Sequence, residues 1–230
     1  MPATYEENKN GDTNKSTETA ADIEARDKPD EVILRKFRKL DQKTLNRCGK
    51  TISAHTEAYR LQYGAHDGSN VFFNPDGADY RFSLTDGVHG SMYMAWTPKT
   101  SLKEVFRNKV SMKESDLEDY YLGKIAILKD VNVLQVNKLV SSTSIRIHDV
   151  TTDSRKVTQF LATIVHEAGF DGIEYTSNVT GEPCLVLWHT DSAGKGMAIT
   201  LEQTCLSDFE FEGKETADIL TWELGISVEQ

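Results

Sequence analysis

The chain has 230 residues, of which 38% are hydrophobic and 27% charged, and its formal charge is −10. That is enough apolar material for one buried core, while so acidic a chain is repelled by phosphate backbones, which argues against direct nucleic-acid binding. The charge is uneven: residues 1–32 hold nine acids and four bases (−5), residues 33–50 one acid and seven bases (+6), leaving −11 for residues 51–230.

Residues 1–31 are rich in Asn, Thr, Glu, Asp and Lys, with too few large apolar side chains to offset the entropy of ordering, so a disordered acidic tail is expected there. The tail shows no apolar stretch of a secretory leader. No later run approaches the roughly 20 apolar residues of a membrane-spanning helix, so the expected setting is the cytoplasm, without a membrane partner. Residues 32–50 place Ile33, Phe37, Leu40 and Thr44 at helical spacing with Lys and Arg opposite. This predicts a basic amphipathic helix of about four turns, its apolar face packed on an acidic body comprising residues 51–230.

Beyond Gly49 strands dominate. "EAYRLQYG" alternates, "GSMYMAW" is a short apolar run behind a glycine, and "YYLGKIAILKDVNVLQV" reads as two strands about Lys129 and Asp130. Two helices interrupt them. "TPKTSLKEVFRNKV" offers Thr97 as N-cap and Pro98 at the first helical position, with Leu102, Val105, Phe106 and Val110 as its core face. "SRKVTQFLATIVHEAGF" carries Val157, Phe160, Leu161, Ile164, Val165 and Ala168 as a stripe and stops at Gly169. "DGIEYTS" and "PCLVLWHT" follow as strands joined by a loop.

Several motifs carry no chemistry. "DSAGKGMA" lacks phosphate-loop spacing and reads as a turn, "HEAGFD" lacks the H-E-x-x-H pattern and leaves His166 as an exposed helix-end residue, and no G-x-S-x-G elbow occurs. Cys48, Cys184 and Cys205 show neither paired nor ligand spacing and are expected as small buried hydrophobes. No metal site is expected.

The stretch "YRFSLTDGVHGSMYMAWTPKTSLKEVF" is the informative one. Arg81 leaves a strand-like segment, Tyr93 sits on the next short strand, and Glu104 lies in the second turn of the helix after Pro98, so all three can converge on one cleft. Each has a plainer reading as surface cation, core aromatic and solvent-facing carboxylate. Glu104, however, borders the apolar face between Leu102 and Val105, where a half-sheltered carboxylate is costly unless it is used.

At this point the chain resembles a family. RES-domain proteins are named for an Arg, a Glu and a Ser, and their blocks occur here in order as Tyr59-Arg60, "FFNPDGADYRFS", "SMYMAWTPKTSLKEVF" and "EAGFDGIEYTSN", over about residues 58–190. Tyr80 stands where many members have Gly, and Ser83 where many have Asn. The resemblance implies an α+β fold similar to the ADP-ribosyltransferases and diphtheria-type toxins, a split mixed β-sheet with flanking helices. It also implies a toxin that cleaves the nicotinamide–ribose bond of NAD by hydrolysis or phosphorolysis, with NAD as substrate and no further cofactor. The implied partner is an Xre-type antitoxin or an immunity protein, and the toxin would act in its own cell or in a target cell that receives it. Glu104 would then stabilise the cationic ribose, Tyr93 stack on nicotinamide, Arg81 and Arg60 bind the pyrophosphate, and Ser177 hydrogen-bond near the nicotinamide side. Two further readings use the same cleft: mono-ADP-ribosylation of a protein, and NAD binding without catalysis.

Overall fold

The computed structural model describes residues 20–76 and 80–229, with side chains from residue 29 on. The described residues open with helix α1 (Ala20–Phe37) and, after a turn, helix α2 (Gln42–Arg47). The single helix expected over 32–50 is therefore broken. Asp41 is the reason: its side chain accepts from the Thr44 amide at 2.8 Å and starts a new helix. The expected tail falls mostly outside the described residues, and its last part, residues 20–31, lies in α1.

Strand β1 (Gly49–Ile52) and strand β2 (Glu57–Tyr63) precede β3 (Gly90–Ala95) and helix α3 (Pro98–Val105). Thr97 caps α3 by accepting from the Thr100 amide at 3.2 Å, as the sequence suggests. The helix ends sooner than its apolar periodicity implies. Leu102 and Phe106 are buried, but Val105 and Val110 are exposed and form no part of the core stripe. Next come β4 (Ser111–Lys113), β5 (Tyr120–Ile127), β6 (Val131–Gln135), α4 (Val136–Ser142), α5 (Ile147–Thr151), α6 (Arg155–Glu167), β7 (Gly172–Thr176), β8 (Pro183–His189) and β9 (Ala198–Cys205). The chain closes with β10 (Glu210–Phe211), β11 (Lys214–Glu215), α7 (Thr216–Asp218) and β12 (Ser227–Glu229). No described helix is long and apolar enough to cross a membrane.

Eight strands form one mixed sheet in the order β1-β6-β7-β8-β3-β2-β5-β9, in which only β6 and β7 run parallel. Its two halves are well laddered. β3 pairs with β8 over six residues and β2 with β5 over seven, but β2 and β3 share the single pair Tyr59 and Ala95. The sheet is thus split at its middle, as the resemblance implies for this fold.

Both faces of the β6-β7-β8 half are covered, which explains why "CLVLW" is apolar without alternation. Leu134, Ile173 and Val186 pack with α1 and α6, whereas Val133, Leu185 and Leu187 pack with Met92, Met94 and Phe73. A third cluster joins Leu102 and Phe106 of α3 to Leu61, Leu122, Ile219 and Leu220.

Helix α1 belongs to this core and is no appendage. Ile33, Leu34 and Phe37 are buried against Val157, Leu161 and Val165, Lys36 reaches the buried Asp149 at 2.6 Å, and Asp30 accepts from the Ser154 hydroxyl at 2.6 Å. Phe37→Ala should therefore lower unfolding free energy by about 3–5 kcal/mol, while Val32→Ala, at an exposed position, should stay within about 0.5 kcal/mol. Urea titration of the two variants measures both.

Candidate functional site

Where β2 and β3 diverge, a cleft of about 490 Å³ opens. That is the size of a small-molecule site. It is lined by Arg60 of β2, Tyr93 of β3, Glu104 and Val105 of α3, and Arg81 and Tyr80 from the segment before β3. Arg155, the first residue of α6, Tyr175 of β7, Cys184 of β8 and Asn178 of the intervening loop close the far side. The structure thus brings Arg60, Arg81, Tyr93 and Glu104 together.

Ser177 does not join them. It is buried, and its hydroxyl accepts from the amides of Val179 and Thr180 at 3.1 Å, which locks the turn after β7. The neighbouring Asn178 faces the cleft instead. With its amide oxygen turned toward Arg81, it accepts from Nη1 at 2.8 Å and Nη2 at 3.1 Å. The serine's place in the pocket is taken one residue later because the hydroxyl is spent on backbone donors.

Arg60 is held with care. Its Nη1 donates to the Asn70 carbonyl at 2.6 Å and to Gln62 Oε1 at 3.2 Å. Asn70, fully buried, donates in turn to the carbonyls of Arg60 and Tyr121. Room for Asn70 exists because β5 carries glycine opposite it: a Cβ at Gly123 would lie 2.2 Å from the Asn70 side chain. Burial lowers the Arg60 guanidinium to about 10, with Tyr80 working weakly the other way. Among the described residues Arg60 has no carboxylate partner. A sheltered guanidinium bonded only to neutral oxygens remains a site for an anion.

The remaining groups tune the pocket. The Tyr93 hydroxyl sits 2.9 Å from the Ser83 hydroxyl, its ring centroid lies 5.9 Å from that of Tyr80, and burial pushes its phenol above the ordinary range. Tyr80 and Phe72, both about half exposed, stand at the mouth as ring surfaces. Arg81 bridges to Asp153 at 3.5 Å, and Glu104 meets the Arg107 guanidinium at 3.9 Å. Glu104 keeps 24% of its side chain exposed, and its charge is felt at Cys184 and Tyr175 across the cleft. In all, four arginines and one glutamate line a cleft in a chain of charge −10, so the local sign opposes the global one.

Asn70, Asn178, Arg155 and Phe72 were not legible as site residues. Asn70 acts through the backbone beside Arg60, and Arg155 reaches the cleft only because α6 begins there. Of the three cysteines, Cys48 and Cys184 are buried as expected, while Cys205 is partly exposed.

A family model described as the RES domain matches residues 55–207. By fold, the chain is similar to a chain in the crystal structure of the M. tuberculosis MbcT–MbcA toxin–antitoxin complex, with a TM-score of 0.52 and 19% identity, over 71% of this chain and 90% of that one. No curated protein matches it in sequence.

Cys184 gives the site a pH signature. Burial first, and then the charge of Glu104, pushes its thiol from 9.0 up to about 12, against a hydrogen bond from Tyr175. The unfolded chain releases that proton near 9 and the folded chain does not, so this contribution to stability is complete below pH 9 and lost between 9 and about 12. Unfolding free energy should fall over this window, and Cys184→Ala should make the decline shallower; urea titrations from about pH 8 to about pH 11 test it.

Proposed function

The chain belongs to the RES-domain family, and from that premise we propose that it is an NAD-consuming toxin that cleaves the bond between nicotinamide and ribose. One observation carries the reading. An aromatic-flanked cleft concentrates arginines, one of them buried without a carboxylate partner among the described residues, around a single half-sheltered glutamate. NAD needs those three things: cations for its pyrophosphate, ring surfaces for its bases, and a carboxylate for its ribose.

Arg60 and Arg81 hold the pyrophosphate, since a planar guanidinium matches two phosphate oxygens at once. Tyr93 supplies the ring against nicotinamide, with its hydroxyl anchored by Ser83. Asn178 and Asp153 together orient Arg81. As the C–N bond lengthens, its electron pair moves to the ring nitrogen of the cationic nicotinamide, which departs neutral. Positive charge develops on the ribose, and Glu104 stabilises it electrostatically while binding a ribose hydroxyl. Water or phosphate then forms the new bond to the same carbon and gives up its proton to solvent.

The fold neighbour comes from a toxin–antitoxin complex, which supports an antitoxin as partner; the proposed factor, of the Xre type or an immunity protein, would cover the cleft and restrain the activity.

Purified full-length chain incubated with labelled NAD, with and without phosphate, should release nicotinamide and either ADP-ribose or its phosphate ester. Glu104→Gln should retain NAD binding and lose turnover by about 10²–10³. Arg60→Lys should chiefly weaken binding. Label on protein would favour ADP-ribosylation, and NAD bound without being consumed would leave recognition alone.

A further inference from the structure

Away from the cleft, at the other end of β3, Asp86, His89 and His166 each offer a ligand atom, and these atoms all lie within 4.8 Å of one another. We propose that they bind one divalent transition-metal ion of the zinc class. The ion would act as a staple between the loop that enters β3 and the last turn of α6.

The donor set is the first argument. Two imidazoles and one carboxylate suit zinc, cobalt or nickel rather than calcium or magnesium, which prefer oxygen alone. Three protein ligands leave one position for water. The geometry is the second. Asp86 Oδ1 accepts from the amides of Val88 and His89, both at 2.9 Å, so the carboxylate is fixed from behind before any ion arrives. Oδ2 faces His89 Nδ1 at 2.6 Å, with a hydrogen shared between them.

His166 supplies the third argument. Its Nδ1 is buried and finds no hydrogen-bond partner among the described protein groups. Such a nitrogen costs free energy unless something uses its lone pair or proton. Its ring stands edge-on to that of His89 with centroids 4.5 Å apart, and Trp188 backs it at 5.7 Å. Ligands of a tetrahedral zinc ion lie about 3.3 Å apart, given bonds of about 2.0–2.1 Å. The gaps, none wider than 4.8 Å, are bridged from a loop where Asp86 is exposed and His89 partly so. On loading, His89 takes the neutral tautomer with its hydrogen on Nε2, and the cation takes over the pairing between Nδ1 and Oδ2.

The test uses the full chain stripped with chelator and titrated with Co²⁺, followed by Zn²⁺ competition. One equivalent of Co²⁺ should give the visible absorption of a tetrahedral site, and zinc at a hundredfold excess over its dissociation constant should raise the melting temperature by roughly 5–10 °C. His166→Gln and His89→Gln should each weaken binding by at least ~10–100-fold, the loss seen for outer-shell partners alone. His148→Gln, at an exposed histidine outside the cluster, should bind as the unaltered chain does. His89 lies partly exposed on the loop, so His89→Gln keeps the test decisive should His166→Gln misfold. Absence of the cobalt band, an unmoved melting temperature, binding that survives both cluster variants, or binding lost with His148 would each overturn the assignment.

Discussion

The structure turns on a backbone hydrogen bond that the sheet does not make. After the pair Tyr59 and Ala95, β3 leaves β2, and the amide of Leu61, two residues on and facing the same edge, loses the partner a continuous ladder would give it. A buried amide without a partner is costly, and the chain answers with Ser101 of α3, whose hydroxyl accepts from it at 2.9 Å. Helix α3 is thereby tied into the gap. Because it lies there, Glu104 at its end enters the cleft that the gap creates. Pairing, helix placement and carboxylate position are one constraint seen at three levels.

The same opening fixes what the cleft can recognise. Its walls come from different elements, so its charge is independent of the average over the chain. Arg60 is placed by a strand, Arg81 by a turn and Arg155 by a helix start, and each is set by local chemistry that knows nothing of the other two. Gly123 belongs to this arrangement although it touches no ligand: its missing side chain admits Asn70, and Asn70 fixes Arg60.

Features that depend on adjacent residues could be read from the sequence. The Thr97-Pro98 start of α3, the Gly169 stop of α6 and the strand character of β2, β3, β5 and β6 each follow from short-range patterns. The ordered blocks of the family contain Arg60, Arg81, Tyr93 and Glu104, which line the cleft. The break at Asp41 was also written locally, as a capping residue, but was hidden by apolar spacing that happens to stay in phase across it. What could not be read was the pairing across long separations. The sheet order, the left-handed Phe82 with φ of 54° and the pairing of Asn178 with Arg81 all depend on partners far along the chain.

Lys36 and Asp149 are joined across 113 positions, and the cluster that buries Phe37 includes Val157, Leu161 and Val165 of α6, which lie further along still. During synthesis, at about 5–20 residues per second, α1 would emerge roughly 6–23 s before the helices that cover it. For that interval Phe37 lacks Val157, Leu161 and Val165, and Lys36 has no Asp149 to meet. Among the described helices α1 is thus made first, yet it completes its docking only once α6 has followed.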